Sequence, residues 1–507
     1  MKELWMSALR ALRGSAPEIE GMEPKVFLSL KLSYDHLEGK NIKHCFLYCS
    51  LYPEDHDIPV DKLVMYWVME GFIDNVDYLS DASIKGHHII ERIMDASLLE
   101  RKCNQRYQIH SIKMHDLIRD MAIWITSAKS NEGPRFLVRA GVGLKEPPTE
   151  NMWKDKERIS LMNNDIEELP VRPDCPKLVT LLLQNNYSLT IFPNSFFELM
   201  AKLAVLDLSH TSIKSLPVSL SSLVNLQSLL LCYCLRLEEL EPIGGLKELQ
   251  FLNLSWSGIK KLPEDLGKLV KLNLLDLSHL HQLKTIPQNT ICRLSALEEL
   301  HLFSTCGNLA KKEVPEEEDA CEAILGEVAT LRHLTTLVIT LQSIDCLAYD
   351  VFHCRWASLR KFHFHIGTSY METLVFPSSD KEVTINGCDH FPHGIKAMLK
   401  HVKHLHLWHC KGLKCISQLV EDSNSLVELD IHDCSEMDLV IGRREVQDVG
   451  ALQSLGSLVL RDLPNLKKVF EGQAPRGSFQ KLRLIHVESC HKLGISSRLI
   501  WLNIGIN

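Results

Sequence analysis

Several things are missing from this sequence, and each absence closes off a class of function. No G-x-x-x-x-G-K-[ST] occurs in the 507 residues, so the backbone cradle, lysine and magnesium-binding hydroxyl for a nucleoside triphosphate are absent from them. No apolar run reaches the length of a membrane-spanning helix, and no charged start leads into a long apolar core. A cytoplasmic, reducing setting is the expectation. The 16 Cys show no CxxC…CxxC or His/Cys finger spacing, which argues against a zinc module. With 56 Lys and Arg against 64 Asp and Glu, the formal charge is −8 and no dense basic face stands out, so nucleic acid is not the expected partner. Neither a nucleophile-elbow spacing nor a paired-carboxylate constellation is evident, and no enzyme activity is expected.

What is present is ordinary globular composition, 45% hydrophobic and 24% charged. From Arg158 onward it is also periodic. Leu203-x-x-Leu206-x-Leu208 recurs at Leu226, Leu249 and Leu272, each offset by 23 residues, within the roughly 20–29-residue leucine-rich-repeat range. Looser units have cores near Leu337, Phe362, Ile385, Leu405, Leu429, Leu458 and Ile485. Stacked repeats bury a continuous leucine interior that no single repeat can bury alone. Cys234, Cys388, Cys410, Cys434 and Cys490 each follow the last apolar strand position by three residues, the Asn/Cys slot of such a repeat. They are therefore read as small buried residues, and the N-x-[ST] matches at Asn186 and Asn253 as chance. The charged run Lys311 to Asp319 reads as a solvated insertion, and the apolar tail from Leu499 offers no obvious polar cap.

Before the repeats the pattern is helical. Met1 to Gly14 places Trp5, Leu9 and Leu12 on one helical face, and Cys45 to Leu51 forms an apolar stripe that must stop near Pro53. Leu63, Val64, Trp67, Val68 and Phe72 make a second amphipathic face closed by Gly71. Tyr107 to Ile112 alternates as a short strand and leads to Met114-His115-Asp116, with Leu117, Ile118, Met121, Ala122 and Ile125 following at helical spacing. Asp116 is placed to cap that helix, and its N-terminus could receive an anion beside the His115 imidazole. An ordinary capped helix is the alternative. The fold class is thus α/β, a small helical winged-helix-like domain followed by a leucine-rich-repeat solenoid. A soft boundary falls in the Gly- and Pro-rich stretch from Ser127 to Pro148.

Leu32-Ser33-Tyr34-Asp35-His36-Leu37, Cys45-Phe46-Leu47-Tyr48-Cys49-Ser50-Leu51-Tyr52-Pro53-Glu54-Asp55, Trp67 with Glu70-Gly71-Phe72-Ile73, and Met114-His115-Asp116 occur in an order that resembles one family. It is the plant nucleotide-binding (NB-ARC) leucine-rich-repeat disease-resistance proteins of the coiled-coil class. The resemblance covers nearly the whole chain. It implies a remnant of a helical ARC subdomain over 1–30, a winged-helix-like ARC subdomain over 31–127, a connection over 128–154 and repeats over 155–507. It also implies that His115, supported by Asp116 and Met114, would contact the diphosphate of ADP in a switch between ADP and ATP states. The missing phosphate loop marks the sequence as N-terminally truncated relative to that family, without its coiled-coil and nucleotide-binding regions. It leaves no tightly bound ADP or ATP expected here. The function implied is a plant immune receptor fragment whose repeats recognise a pathogen effector or a guarded host protein. A freestanding leucine-rich-repeat adaptor or decoy without nucleotide switching is the alternative.

Residues flanking the inward leucines of each strand face the concave surface. Early units place Asp207, Asn253 and Asp276 in its central column, and later ones His301, His363, His406 and His486, with Phe303, His365, His404, Trp408 and His432 beside them. Three readings remain open for this later face. One is a protein-recognition surface, since aromatic and amphipathic side chains anchor interfaces. Another is a metal site at His404-x-His406-x-x-His409-Cys410, weakened because Cys410 belongs to the structural slot. The third is solvated histidines with no function.

Overall fold

A computed structural model describes residues 24–74, 76, 78–103, 109–127, 135–305, 320–347, 356–367, 380–417, 419–420, 425–442, 452–471, 479–493 and 499–502. The helix expected over Met1 to Gly14 and the insertion from Lys311 to Asp319 lie outside these residues. The chain forms two compact units, Met1–Leu275 and Asp276–Asn507.

In the first unit, helices α1 (Pro24–Asp35), α2 (Lys40–Cys49), α3 (Val60–Met69), α4 (Leu79–Asp95) and α5 (Asp116–Ile125) accompany a small antiparallel sheet, against which α3 packs. Its strands β1 (Ile58–Pro59), β2 (Glu100–Cys103) and β3 (Ile109–Lys113) lie in the order β1-β3-β2. The apolar stripe read in the sequence becomes the buried face of α2, where Cys45, Phe46, Leu47, Tyr48 and Cys49 are all at most 1% exposed. After α3 the chain turns on Gly71, at φ +73°. There the Gly71 N–H donates to Val68 O and the Phe72 N–H to Trp67 O, a Schellman closure that a left-handed glycine permits. Helices α3 and α4 cross at Gly86, where a Cβ would stand 2.3 Å from Val64 Cγ2.

The repeats begin earlier than their leucine pattern suggests. Strand β4 (Phe136–Val138), inside the stretch read as a connection, pairs in parallel with β5 (Arg158–Ser160), and α6 (Glu150–Trp153) lies between them. Parallel strands β6 (Thr180–Leu182), β7 (Val205–Asp207), β8 (Ser228–Leu230) and β9 (Phe251–Asn253) follow in register. That register aligns Leu181, Leu206, Leu229 and Leu252, all fully buried. Where a repeat has Asn in the slot, its amide closes the turn. Asn186 is fully buried and donates to Leu161 O and Leu183 O at 2.9 and 2.8 Å, so it is a structural residue and no glycan acceptor.

In the second unit, β10 (Glu299–Leu302), β11 (Thr336–Leu341), β12 (Lys361–Gly367), β13 (Lys381–Asn386), β14 (His404–Trp408), β15 (Glu428–His432), β16 (Ser457–Arg461) and β17 (Leu484–Glu488) pair in parallel one after another. The tail strand β18 (Leu499–Leu502) runs antiparallel to β17 and covers its outer edge, which is how the apolar tail is used. Slot cysteines replace asparagine as turn donors. Cys410 Sγ reaches Ile385 O at 3.7 Å and Cys434 Sγ reaches Leu407 O at 3.6 Å. In the first unit Cys234 Sγ does the same with Leu208 O at 3.2 Å.

Candidate functional site: a closed and an open concave face

The Met-His-Asp corner differs from expectation in which residue caps its helix. His115, not Asp116, is the N-cap of α5, its Nδ1 accepting from the Leu117 N–H at 3.2 Å. The Ile118 and Arg119 N–H groups both donate to His115 O at 2.9 Å, so three first-turn donors that an anion could have used are already engaged. Met114 is buried, His115 is exposed, and Asp116 Oδ1 is buried without a hydrogen-bond partner. The neighbouring bonds run within the winged helix. Lys113 Nζ meets Asp55 Oδ1 at 2.5 Å, and Arg119 Nε donates to Tyr52 O at 2.7 Å. The corner therefore braces the Tyr52–Asp55 turn.

Contact with the first repeats comes instead from α3. Helix-period spacing brings Lys62 and Tyr66 to one side of α3, while Leu63, Val64 and Trp67 fill the winged-helix core. Asp207, at the end of β7, is 0% exposed beneath them. Tyr66 OH donates to Asp207 Oδ2 at 2.5 Å, Lys62 Nζ lies 2.6 Å from the same oxygen, and the Ser209 N–H donates to Oδ1 at 2.9 Å. Burial by itself would raise the Asp207 carboxyl, but Lys62 and the two other donors outweigh it and hold its pKa below the ordinary value. A second pair closes the same face. Glu70, just past α3, accepts from Nε and Nη2 of Arg158 on β5, at 2.9 and 2.5 Å, and from the Thr180 hydroxyl on β6. Around these polar points Leu182, Val205, Leu230 and Phe251 join the winged-helix core. The concave rows of β5 to β7 are thus covered by the chain's own helix, and Leu230 on β8 and Phe251 on β9 pack against the same core. The repeat spacing places Asp207 on the concave face but carries no signal for its partner, which is 141 positions away. Asn253 and Asp276 instead accept from the N–H groups of Ser255 and Ser278, each at 2.9 Å, in short Asx turns.

In the second unit the strand register corrects the expected central column. His301 aligns with Val338 and His363, and from His363 the row continues through Glu382, His404 and Glu428. The next row holds His365, Thr384, His406, Asp430, Val459 and His486, and a third pairs Trp408 with His432. His363 and His406 are therefore neighbours in adjacent rows, and both lean on Glu382 Oε1, at 3.8 and 3.6 Å. His404 Nδ1 meets Glu428 Oε2 at 3.1 Å, and His432 Nε2 meets Asp462 Oδ2 at 2.9 Å. Phe303 sits edge-on to His363 and His365, with ring centroids 5.7 and 6.3 Å apart. His363, His365 and His486 are buried, whereas His301, Phe303, His404, His406, Trp408 and His432 are part-exposed. Burial, reinforced by His363, lowers His365 to about 4. For His406 burial pulls the same way, but Asp430, Glu382 and Glu428 outweigh it and raise the ring above its ordinary value. The four residues of the metal reading do not converge, because His409 pairs with Asp433 at 2.8 Å and Cys410 turns into the slot. Among the described residues no group of three or more His, Cys, Asp or Glu is arranged to hold a metal.

Comparison with known families gives a disease-resistance-protein winged-helix domain over residues 51–122, a leucine-rich-repeat region over 231–497 and a leucine-rich repeat over 176–235. The chain belongs to the leucine-rich-repeat family and carries a disease-resistance winged helix. It is 37% identical to the probable disease resistance protein At4g27220 of Arabidopsis thaliana, over 97% of this chain and 53% of that protein. It is 31% identical to disease resistance protein RPS5 of the same plant, over 96% of this chain and 53% of that protein. The chain thus spans about half the length of these curated relatives. An internalin from Listeria monocytogenes aligns over 69% of the chain and 86% of its own length, with 18% identity and a TM-score of 0.44. In this leucine-rich-repeat protein, the closed face lies under the matched winged helix and the open face within the matched repeat region. No described helix is long and apolar enough to cross a membrane.

Proposed function

We propose that the chain is the restraint and recognition part of a plant disease-resistance receptor. The observation that carries this reading is the unequal use of the concave rows. Those of β5 to β7 are occupied by α3 and Glu70 through Asp207, Arg158 and Thr180, and those of β12 to β15 present half-buried imidazole, carboxylate and aromatic side chains. A face already filled by its own chain restrains, whereas one that shows amphipathic anchors recognises. The partner is a protein, either a pathogen effector or a host protein altered by one. The engaged N–H groups of α5 and the bracing role of Lys113 and Arg119 support at most weak contact of His115 with a nucleotide, so no step is routed through ADP or ATP here.

The test is expression in leaf tissue of the protein as its gene encodes it. Lys62→Glu sets a second carboxylate against buried Asp207 and should produce cell death without a pathogen. Reversing the pair with Lys62→Asp and Asp207→Lys should restore silence. Adding Trp408→Ala to Lys62→Glu should leave the cell death in place, because recognition lies upstream of release. A Lys62→Glu protein that accumulates normally and stays silent would overturn the restraint reading.

A further inference from the structure

If β12 to β15 form the recognition face, as proposed above, their charges define what they accept. The row His363, Glu382, His404, Glu428 and the row His365, Thr384, His406, Asp430 contain three carboxylates and no lysine or arginine. Glu382 forms the floor at 5% exposure, while the Glu428 and Asp430 side chains reach the surface at 35% and 14%. His363 Nδ1, His365 Nε2, His406 Nδ1 and Asp430 Oδ1 are all buried and make no hydrogen bond. The carboxylate oxygens nearest His363 and His406 stand at 3.6–3.8 Å, beyond hydrogen-bond reach. His365, held neutral by its burial, offers a lone pair at one ring nitrogen. The face is therefore rich in acceptors and poor in fixed positive charge. Trp408 adds an aromatic surface beside His406, with ring centroids 5.9 Å apart, on which a guanidinium plane or an alkyl stem can lie.

We propose that the concave face of β12 to β15 docks a partner-protein segment carrying arginine or lysine side chains. Such a segment brings several N–H donors and a positive charge, which Glu382, Glu428 and Asp430 accept through charge-assisted hydrogen bonds. Acidic guests would meet the same three carboxylates with like charge. His406, faced by Glu382 on β13 and by Glu428 and Asp430 on β15 with His404 and Trp408 on its own strand, already offsets part of this charge. Its further protonation, as pH falls through a value that these carboxylates hold above the ordinary one, should weaken docking.

The experiment measures fluorescence anisotropy on the purified full chain with two labelled peptides, alternating arginine with serine and glutamate with serine. The arginine peptide should bind at neutral pH, and Glu428→Gln with Asp430→Asn should weaken it about tenfold. The exposed pair Glu239→Gln with Glu264→Gln, an equal change in charge made in the first unit, should leave binding unchanged. Preferential binding of the glutamate peptide, no binding of the arginine peptide, or equal weakening by the control pair would each overturn the proposal. If Lys62→Glu still triggers cell death while the arginine peptide fails to bind, the charge assignment fails and the restraint reading stands.

Discussion

Removing the charge of Lys62 with Lys62→Met tests how the closed face is held. The substitution keeps most of the alkyl stem but leaves Asp207 ionised at 0% exposure with Tyr66 OH and the Ser209 N–H as its remaining partners. Breaking one side of a buried ion pair costs about 3–5 kcal/mol. Asp207 has an escape, which is to take up a proton. At pH 7 that route costs about 4 kcal/mol for a carboxyl whose ordinary pKa is near 3.9, and at pH 5 about 1.5 kcal/mol. In the native protein the folded pKa of Asp207 is depressed, so its stabilisation is present above the ordinary value and is lost as pH falls through the folded one. In Lys62→Met the shift reverses, because only burial and the two weaker donors remain. The penalty should therefore be about 3–4 kcal/mol at pH 7 and shrink to about 1.5 kcal/mol or less at pH 5. Urea unfolding followed through the fluorescence of Trp67, fully buried on α3, reads it. Adding Asp207→Leu should recover most of the loss at pH 7, since a buried pair replaced by apolar groups is often neutral. Equal penalties at both pH values, or a double variant worse than the single one, would refute the reasoning.

Other consequences follow from single residues. His365 is held near 4 while its unfolded-chain value is about 6.5, so the unfolded state takes up the proton first. The second unit should lose about 3 kcal/mol from this group as pH falls from about 6.5 to 4. His365→Phe should flatten that slope in pH-dependent urea titrations. Gly86→Ala brings a Cβ to 2.3 Å from Val64 and should destabilise the winged helix by about 1–3 kcal/mol, with Val64→Ala as the compensating second change. Calorimetry with ADP should show no binding tighter than about 1 mM, equivalent to about −4 kcal/mol, and micromolar affinity would refute that.

Much of the architecture was legible because it is local and periodic. The 23-residue leucine period, the slot cysteines and the stop before Pro53 each depend on residues close together in sequence, and the structure uses them as read. What stayed hidden is long-range. The Asp207–Tyr66 and Arg158–Glu70 pairs span 141 and 88 positions, and no periodicity encodes which helix covers a concave row. The histidine column was misaligned for a related reason. Register between β12 and β13 places His363 opposite Glu382, a shift that the leucine pattern does not carry. At Met114-His115-Asp116 the residue pattern located the helix start correctly but gave the cap to Asp116, since an imidazole Nδ1 can take the role usually assigned to a carboxylate.

The central claim, one closed concave face and one open, is tested most directly by thiol labelling of near-isosteric serine replacements. Ser160 and Ser228 lie on concave positions of β5 and β8 and are fully buried, whereas Ser457 on β16, which continues the open row beside Glu428, is part-exposed. Peptide-level mass spectrometry of the native protein should show Ser160→Cys and Ser228→Cys unlabelled until the winged helix unfolds, and Ser457→Cys labelled readily. Comparable labelling at all three positions in the folded protein would contradict the account.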